Sequence, residues 1–140
     1  MRKLTIKDYP LAENRPETVR GKGGKSIGQI TLQAVLSGDV TMADLQITPQ
    51  ALRDQAEIAA DAGRQTLALN FRRGAELVEV PQDLIMSTYE LLRPGRAQRK
   101  QDLLDRAELL REQYNADGIA DFIVEAADIY EKRGLFTYRF

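Results

Sequence analysis

Apolar positions fall at helical spacing over most of the chain, and only the first thirty or so residues lack that rhythm. The longest stripe is Leu52, Ala56, Ala59, Gly63, Leu67, Phe71, Ala75 and Val78, at steps of three and four, the period of one helix face. Thr48-Pro49 starts it: a hydroxyl to cap the free amides, then a proline whose missing N–H costs nothing in the first turn. Gly63 lies inside this stripe. It either ends a first helix near Ala62 or marks a close crossing within one long helix. Pro81 starts the next helix, with Leu84, Ile85, Thr88, Tyr89 and Leu92 on one face, and Arg93-Pro94-Gly95 stops it. A further stripe runs through Leu103, Ala107, Leu110 and Tyr114 to a break at Asn115-Ala116-Asp117-Gly118. Ile119, Phe122, Ile123, Ala126, Ile129 and Tyr130 define the last helix, which ends at Arg133-Gly134.

Two short helical turns come earlier, Thr31 to Gly38 and Thr41 to Leu45, each opening on a Thr suited to capping. Before them, Pro10, Pro16 and the stretch Gly21-Lys22-Gly23-Gly24-Lys25-Ser26-Ile27-Gly28 favour loop over packed element. The pattern predicts an all-α fold. Residues 31–140 form an open up-and-down helical bundle of three to four main helices, and residues 1–30 an extended N-terminal arm. Three features point to a chain that lies on a partner. The arm has little with which to build its own core, and the stripe of residues 52–78 is rich in Ala and Gly. The final Leu135-Phe136-Thr137-Tyr138-Arg139-Phe140 is aromatic where a free terminus is normally polar.

Composition narrows the chemistry. Among 140 residues there is no cysteine and no histidine. Disulfides, thiolate nucleophiles, Cys or His metal ligands and the usual neutral-pH base are therefore excluded. Twenty basic residues against 21 acidic ones leave a net charge of -1, which gives no footprint for nucleic acid or an anionic membrane. No run is long and apolar enough to span a bilayer. The basic start, Met1-Arg2-Lys3, has no apolar stretch behind it and is not read as a signal peptide. Absence of cysteine fits a reducing cytoplasm.

Several short motifs have a plain reading beside a sharper one. Gly24-Lys25-Ser26 looks like the end of a phosphate-binding loop, but Arg20 stands where the leading glycine belongs and no strand precedes it. A flexible linker is the plainer reading. Asp8-Tyr9-Pro10-Leu11-Ala12 reads as a turn with an aromatic anchor, or as a clamp for another chain. Arg64 and Arg73 belong to a solvated helix face or pair with a partner's carboxylate. Arg93, Arg96, Arg99 and Lys100 cluster, but Asp102, Asp105 and Glu108 follow directly and cancel the field. Glu125 and Asp128 lie one turn apart like metal carboxylates; with no histidine nearby, a polar helix face is the better reading. The partner-contact candidates are Tyr9, Pro10, Leu11, Arg64, Asn70, Phe71 and Arg73. No residue is assigned a catalytic, cofactor-binding or metal-binding role.

Taken in order, several strings resemble the small (gamma) subunit of the adenosylcobalamin-dependent diol dehydratase/glycerol dehydratase family. They are Asp8-Tyr9-Pro10-Leu11-Ala12, Val35-Leu36-Ser37-Gly38, Ile47-Thr48-Pro49 and Asn70-Phe71-Arg72-Arg73-Gly74-Ala75-Glu76-Leu77. Val80-Pro81-Gln82-Asp83, Leu91-Leu92-Arg93-Pro94 and Ala120-Asp121-Phe122-Ile123-Val124-Glu125-Ala126-Ala127 follow. The resemblance runs colinearly from about residue 8 to 133; the order and spacing carry it, and no single string does. It implies a largely helical subunit with an extended N-terminal part, packed mainly on the large subunit of a dimer of heterotrimers. The large subunit would hold the substrate and a potassium or calcium ion in a (β/α)8 barrel, with adenosylcobalamin between large and medium subunits. The implied reaction is radical dehydration of 1,2-propanediol, glycerol or ethanediol to the aldehyde, a hydro-lyase activity in which this chain alone is inactive.

Departures from the family pattern also carry expectations. Only eight residues precede Tyr9, so the longer N-terminal extension linked to bacterial microcompartments is missing and encapsulation is in doubt. Gly74 stands where the family commonly has Ala, and the aromatic tail replaces a charged end. The rival from another class is a stand-alone helical protein-binding adaptor. An independent enzyme would need a carboxylate or Lys centre, and none is visible.

Overall fold

A computed structural model of the chain describes residues 2–136. Among them the fold is all-α, with no β-strand and a single isolated bridge between Arg20 and Ser26. The chain divides into two compact units, residues 1–78 and 79–140. Within the first unit Leu4 and Leu11 are buried with Ile58, and Val19 packs on them.

The first unit carries α1 (Leu11–Asn14), α2 (Leu32–Ser37), α3 (Met42–Leu45), α4 (Pro49–Asp61) and α5 (Gln65–Leu77). Thr48 caps α4 as expected, its hydroxyl accepting from the Ala51 amide at 3.1 Å. Gly63 ends the helix. With φ at +77°, it lets its own amide donate to the Ala60 carbonyl (3.0 Å) and the Arg64 amide to that of Ala59 (2.8 Å). This paired closure needs a left-handed residue, the conformation glycine adopts without a Cβ penalty. The three-residue connection folds α5 back along α4. Ala56, Ala59 and Ala68 form their seam, with Phe71 packed against it. Leu67, expected in the stripe, is exposed: the turn at Gly63 restarts the helical register, and Ala68 takes the inward position.

The second unit carries α6 (Gln82–Leu92), α7 (Lys100–Tyr114) and α8 (Asp117–Lys132). Leu103, Ala107 and Leu110 of α7 and Ala120, Ile123 and Ala127 of α8 are all buried, each set at the spacing of one helix face. Asn115, with φ at +52°, turns the chain between them. The break is thus shorter than expected, since Asp117 and Gly118 already belong to the first turn of α8. Thr88 of α6 is buried, donates to the Leu84 carbonyl at 2.7 Å and accepts from Arg106 of α7 at 2.8 Å. Tyr89, placed with it on one face by the sequence pattern, is exposed. Five helices of 11 to 16 residues thus replace the expected three to four, because Gly63 divides the first stripe. Phe136 lies 6.3 Å from the ring of Tyr130. The Tyr138 and Phe140 of the aromatic tail lie outside the described residues.

Candidate functional site

The N-terminal residues are held on α4 by backbone as well as side-chain contacts. The Leu4 amide donates to Glu57 and the Ile6 amide to Asp61, each at 2.8 Å. Asp8 is buried and ties off the turn between them. It accepts from the Thr5 amide (2.8 Å), from Arg2 (2.6 Å) and from Arg15 (3.3 Å). The Thr5 amide, with Arg15 and Arg2 adding, keeps its carboxyl below the usual aspartate range against the opposing cost of burial.

This seating leaves Tyr9 exposed between two open grooves of about 560 and 510 Å³. Tyr9, Pro10 and Leu11 line the larger with Ile47; Ile6, Tyr9, Arg64, Leu67 and Phe71 line the smaller. Three of the seven contact candidates, Tyr9, Arg64 and Phe71, therefore meet around one groove although they are distant in sequence. Asn70 and Arg73 line neither groove. Leu11 is buried in the cluster with Leu4 and Ile58, so most of its surface is spent within the chain.

The glycine-rich stretch is not a loose linker. The Gly21 amide donates to the Lys25 carbonyl and the Gly24 amide to that of Gly21, both at 2.9 Å, closing a tight loop. The loop holds Asp44 of α3: Lys25 Nζ reaches both carboxylate oxygens at 3.3 Å, and the Thr41 amide donates at 3.0 Å. A Cβ on Gly21 would fall 2.5 Å from the Asp44 carbonyl oxygen, and one on Gly23 would collide with the Asp44 carboxylate. Glycine is required at Gly21 by close approach to backbone, whereas at Gly23 a side chain would have to displace the Asp44 carboxylate. The lysine that resembled a phosphate ligand is engaged by Asp44.

Sequence reasoning missed the segment that this loop supports. Ile27, Leu32, Val35, Leu36, Met42, Leu45 and Ile47 are all exposed, whereas Val40 alone of the large apolar side chains there is buried. A signal was present: no Lys or Arg occurs between Lys25 and Arg53.

Among the described residues no three acidic, His or Cys side chains converge as a metal site. Asp128, half of the Glu125–Asp128 pair, forms an ion pair with Lys100 at 2.7 Å. Each resolved titration shift favours the charged form. Asp44 is held low by the Thr41 amide and Lys25, Asp102 by Arg99 and Asp128 by Lys100.

The family model for the dehydratase small subunit matches residues 4–137. A propanediol dehydratase small subunit from Salmonella typhimurium (strain LT2) is 47% identical over 132 residues, covering 94% of this chain and 76% of its own. Another from Citrobacter freundii is 48% identical over 128 residues, covering 91% and 74%.

Proposed function

The chain belongs to the dehydratase small-subunit family, and on that premise we propose that it is a non-catalytic subunit of an adenosylcobalamin-dependent diol or glycerol dehydratase. It assembles with a large and a medium subunit as a dimer of heterotrimers in the cytoplasm. The complex dehydrates 1,2-propanediol, glycerol or ethanediol to the aldehyde. The family match along nearly the whole chain is the observation that carries this reading.

The cofactor's place in this reading is on the larger subunits. This chain offers no histidine or cysteine side chain as a cobalt ligand. Its part is mechanical, to cover and hold surfaces of the chains that bind cofactor and substrate.

Co-expression with the large and medium subunits tests the reading. The chain should co-purify with both, be inactive alone, and raise the yield of complex that forms aldehyde from 1,2-propanediol with adenosylcobalamin. Its recovery as a stable monomer beside both larger subunits would sink the proposal, and is what a stand-alone adaptor would do. Deleting residues 1–12 is a poor probe of contact, because it also removes Leu4 and Leu11 from the core around Ile58. Tyr9→Ala, at an exposed position, tests the N-terminal contact without that loss. It should weaken assembly on gel filtration, and unchanged complex yield would remove Tyr9 from the interface.

A further inference from the structure

Helices of a self-contained protein turn their apolar stripe inward; α2 and α3 turn theirs out. Leu32, Val35 and Leu36 share one face of α2 at i, i+3 and i+4, with Leu32 73% and Leu36 78% exposed, and α2 buries none of its residues. On α3 the inversion is sharper. Met42 and Leu45 are 77% and 53% exposed, while the residue turned inward is the charged Asp44. Ile27 and Ile47 are exposed at either end of the same segment.

A second observation is independent of exposure. Between Lys25 and Arg53 the only charged residues are Asp39 and Asp44, and Asp44 is taken up by Lys25. Absence of charge combined with exposed aliphatics and Met is the composition of an interface core, and not that of a solvated surface. The seven exposed side chains present an area on the order of 700 Å², close to the ~800 Å² one partner contributes to a standard interface. The segment is also built to be presented. Thr31 caps α2, Val40 is buried behind it, and the glycine loop grips α3.

We propose that residues 27–47 are the face by which this chain docks on a larger subunit of the dehydratase, against an apolar and uncharged surface of that subunit. This rests on the small-subunit reading and adds the place of contact. A second copy of the chain is disfavoured: it would bring two Asp39 carboxylates into one interface with no basic residue in the strip to neutralise either.

The test is recovery of full-length variants after co-expression with both larger subunits. Leu36→Lys and Met42→Lys should each lower the chain's recovery in the complex at least tenfold, with the isolated chain's helical circular dichroism unchanged. Leu36→Gln should give a smaller loss in the same direction. Met86→Lys, at an exposed apolar residue outside the strip, should leave recovery at the wild-type level. Wild-type recovery of Leu36→Lys and Met42→Lys overturns this inference while leaving the small-subunit reading standing. If the wild-type chain itself fails to join the complex, both fall. A self-associating isolated chain dispersed by Leu36→Lys, with complex recovery unaffected, makes the strip a contact between copies and overturns the proposal too.

Discussion

The α7–α8 hairpin and the segment of residues 27–47 are built from similar apolar side chains disposed in opposite ways. In the hairpin, Leu103, Ala107 and Leu110 on one helix and Ala120, Ile123 and Ala127 on the other are sealed from water. Its ions sit outside the seam, Lys100 with Asp128 and Glu131, and Arg111 with Asp117 and Asp121. In residues 27–47 the aliphatics face out and a partly buried ion pair, the buried Asp44 with the half-buried Lys25, helps hold the segment in place. Helical periodicity establishes that a helix has an apolar face, and is silent on whether that face is covered by the same chain. The difference lies in length. Each helix of the hairpin is long enough to lay a three-residue stripe along its neighbour, whereas α2 and α3 have six and four residues, too few to bury their own stripe and its backbone ends together.

The largest expected effect separates the two regions by stability. Ile123→Ala removes a fully buried side chain and should cost about 2–5 kcal/mol through lost burial and a residual cavity. Leu36→Ala in the isolated chain should stay within about 0.5 kcal/mol of wild type, as at most exposed sites. Urea unfolding followed by circular dichroism compares them directly. A Leu36→Ala loss as large as that of Ile123→Ala would mean that residues 27–47 pack as a core in solution, and the contrast would fail.

A smaller effect probes what holds the strip in place. Gly21→Ala drives a Cβ against the backbone carbonyl of Asp44, a clash that should cost about 1–3 kcal/mol and loosen residues 41–45. Gly28→Ala meets nothing within 4 Å and should be close to neutral. Limited proteolysis distinguishes them: cleavage between residues 20 and 47 should rise for Gly21→Ala only. Equal behaviour of the two variants would show that the loop does not grip α3.

The fold was readable from the sequence wherever a signal is local. Thr48-Pro49 starts α4 and the Leu103–Ala107–Leu110 stripe is buried, because a cap and a helix face each act within a turn or two. The sequence left open whether Gly63 ends a helix or marks a crossing, and the structure shows that it ends one. What could not be read depends on distant partners. Gly21 and Gly23 look like a linker until Asp44 is placed against them. The choice of Ala68 over Leu67 depends on how the Gly63 turn resets the helix. At the site, the sequence singled out Tyr9, Arg64 and Phe71 separately, and only the return of the N-terminal residues onto α4 puts them around one groove. The outward stripe of α2 was invisible for a simpler reason: inward and outward stripes have the same period.

The smallest expected effect is a difference in response to acid. Folding holds the Asp44 and Asp8 carboxyls below the usual aspartate value of 3.8, chiefly through the Thr41 and Thr5 amides. The folded chain therefore binds fewer protons than the unfolded one near that pH. The stability these groups contribute is present above 3.8 and is lost as pH falls through their depressed values. Asp128 is also held low, by Lys100, but its loss strips an exposed ion pair from a hairpin whose seam is apolar. Amide protection factors at pH 5 and pH 3 should accordingly fall for the Val35, Val40 and Asp44 amides before those of Leu103 to Leu110. Asp44→Asn should weaken the first set at pH 5 and remove much of its further decline toward pH 3. If both sets fall together, or if Asp44→Asn leaves the acid response intact, Asp44 is not the anchor that presents the apolar strip.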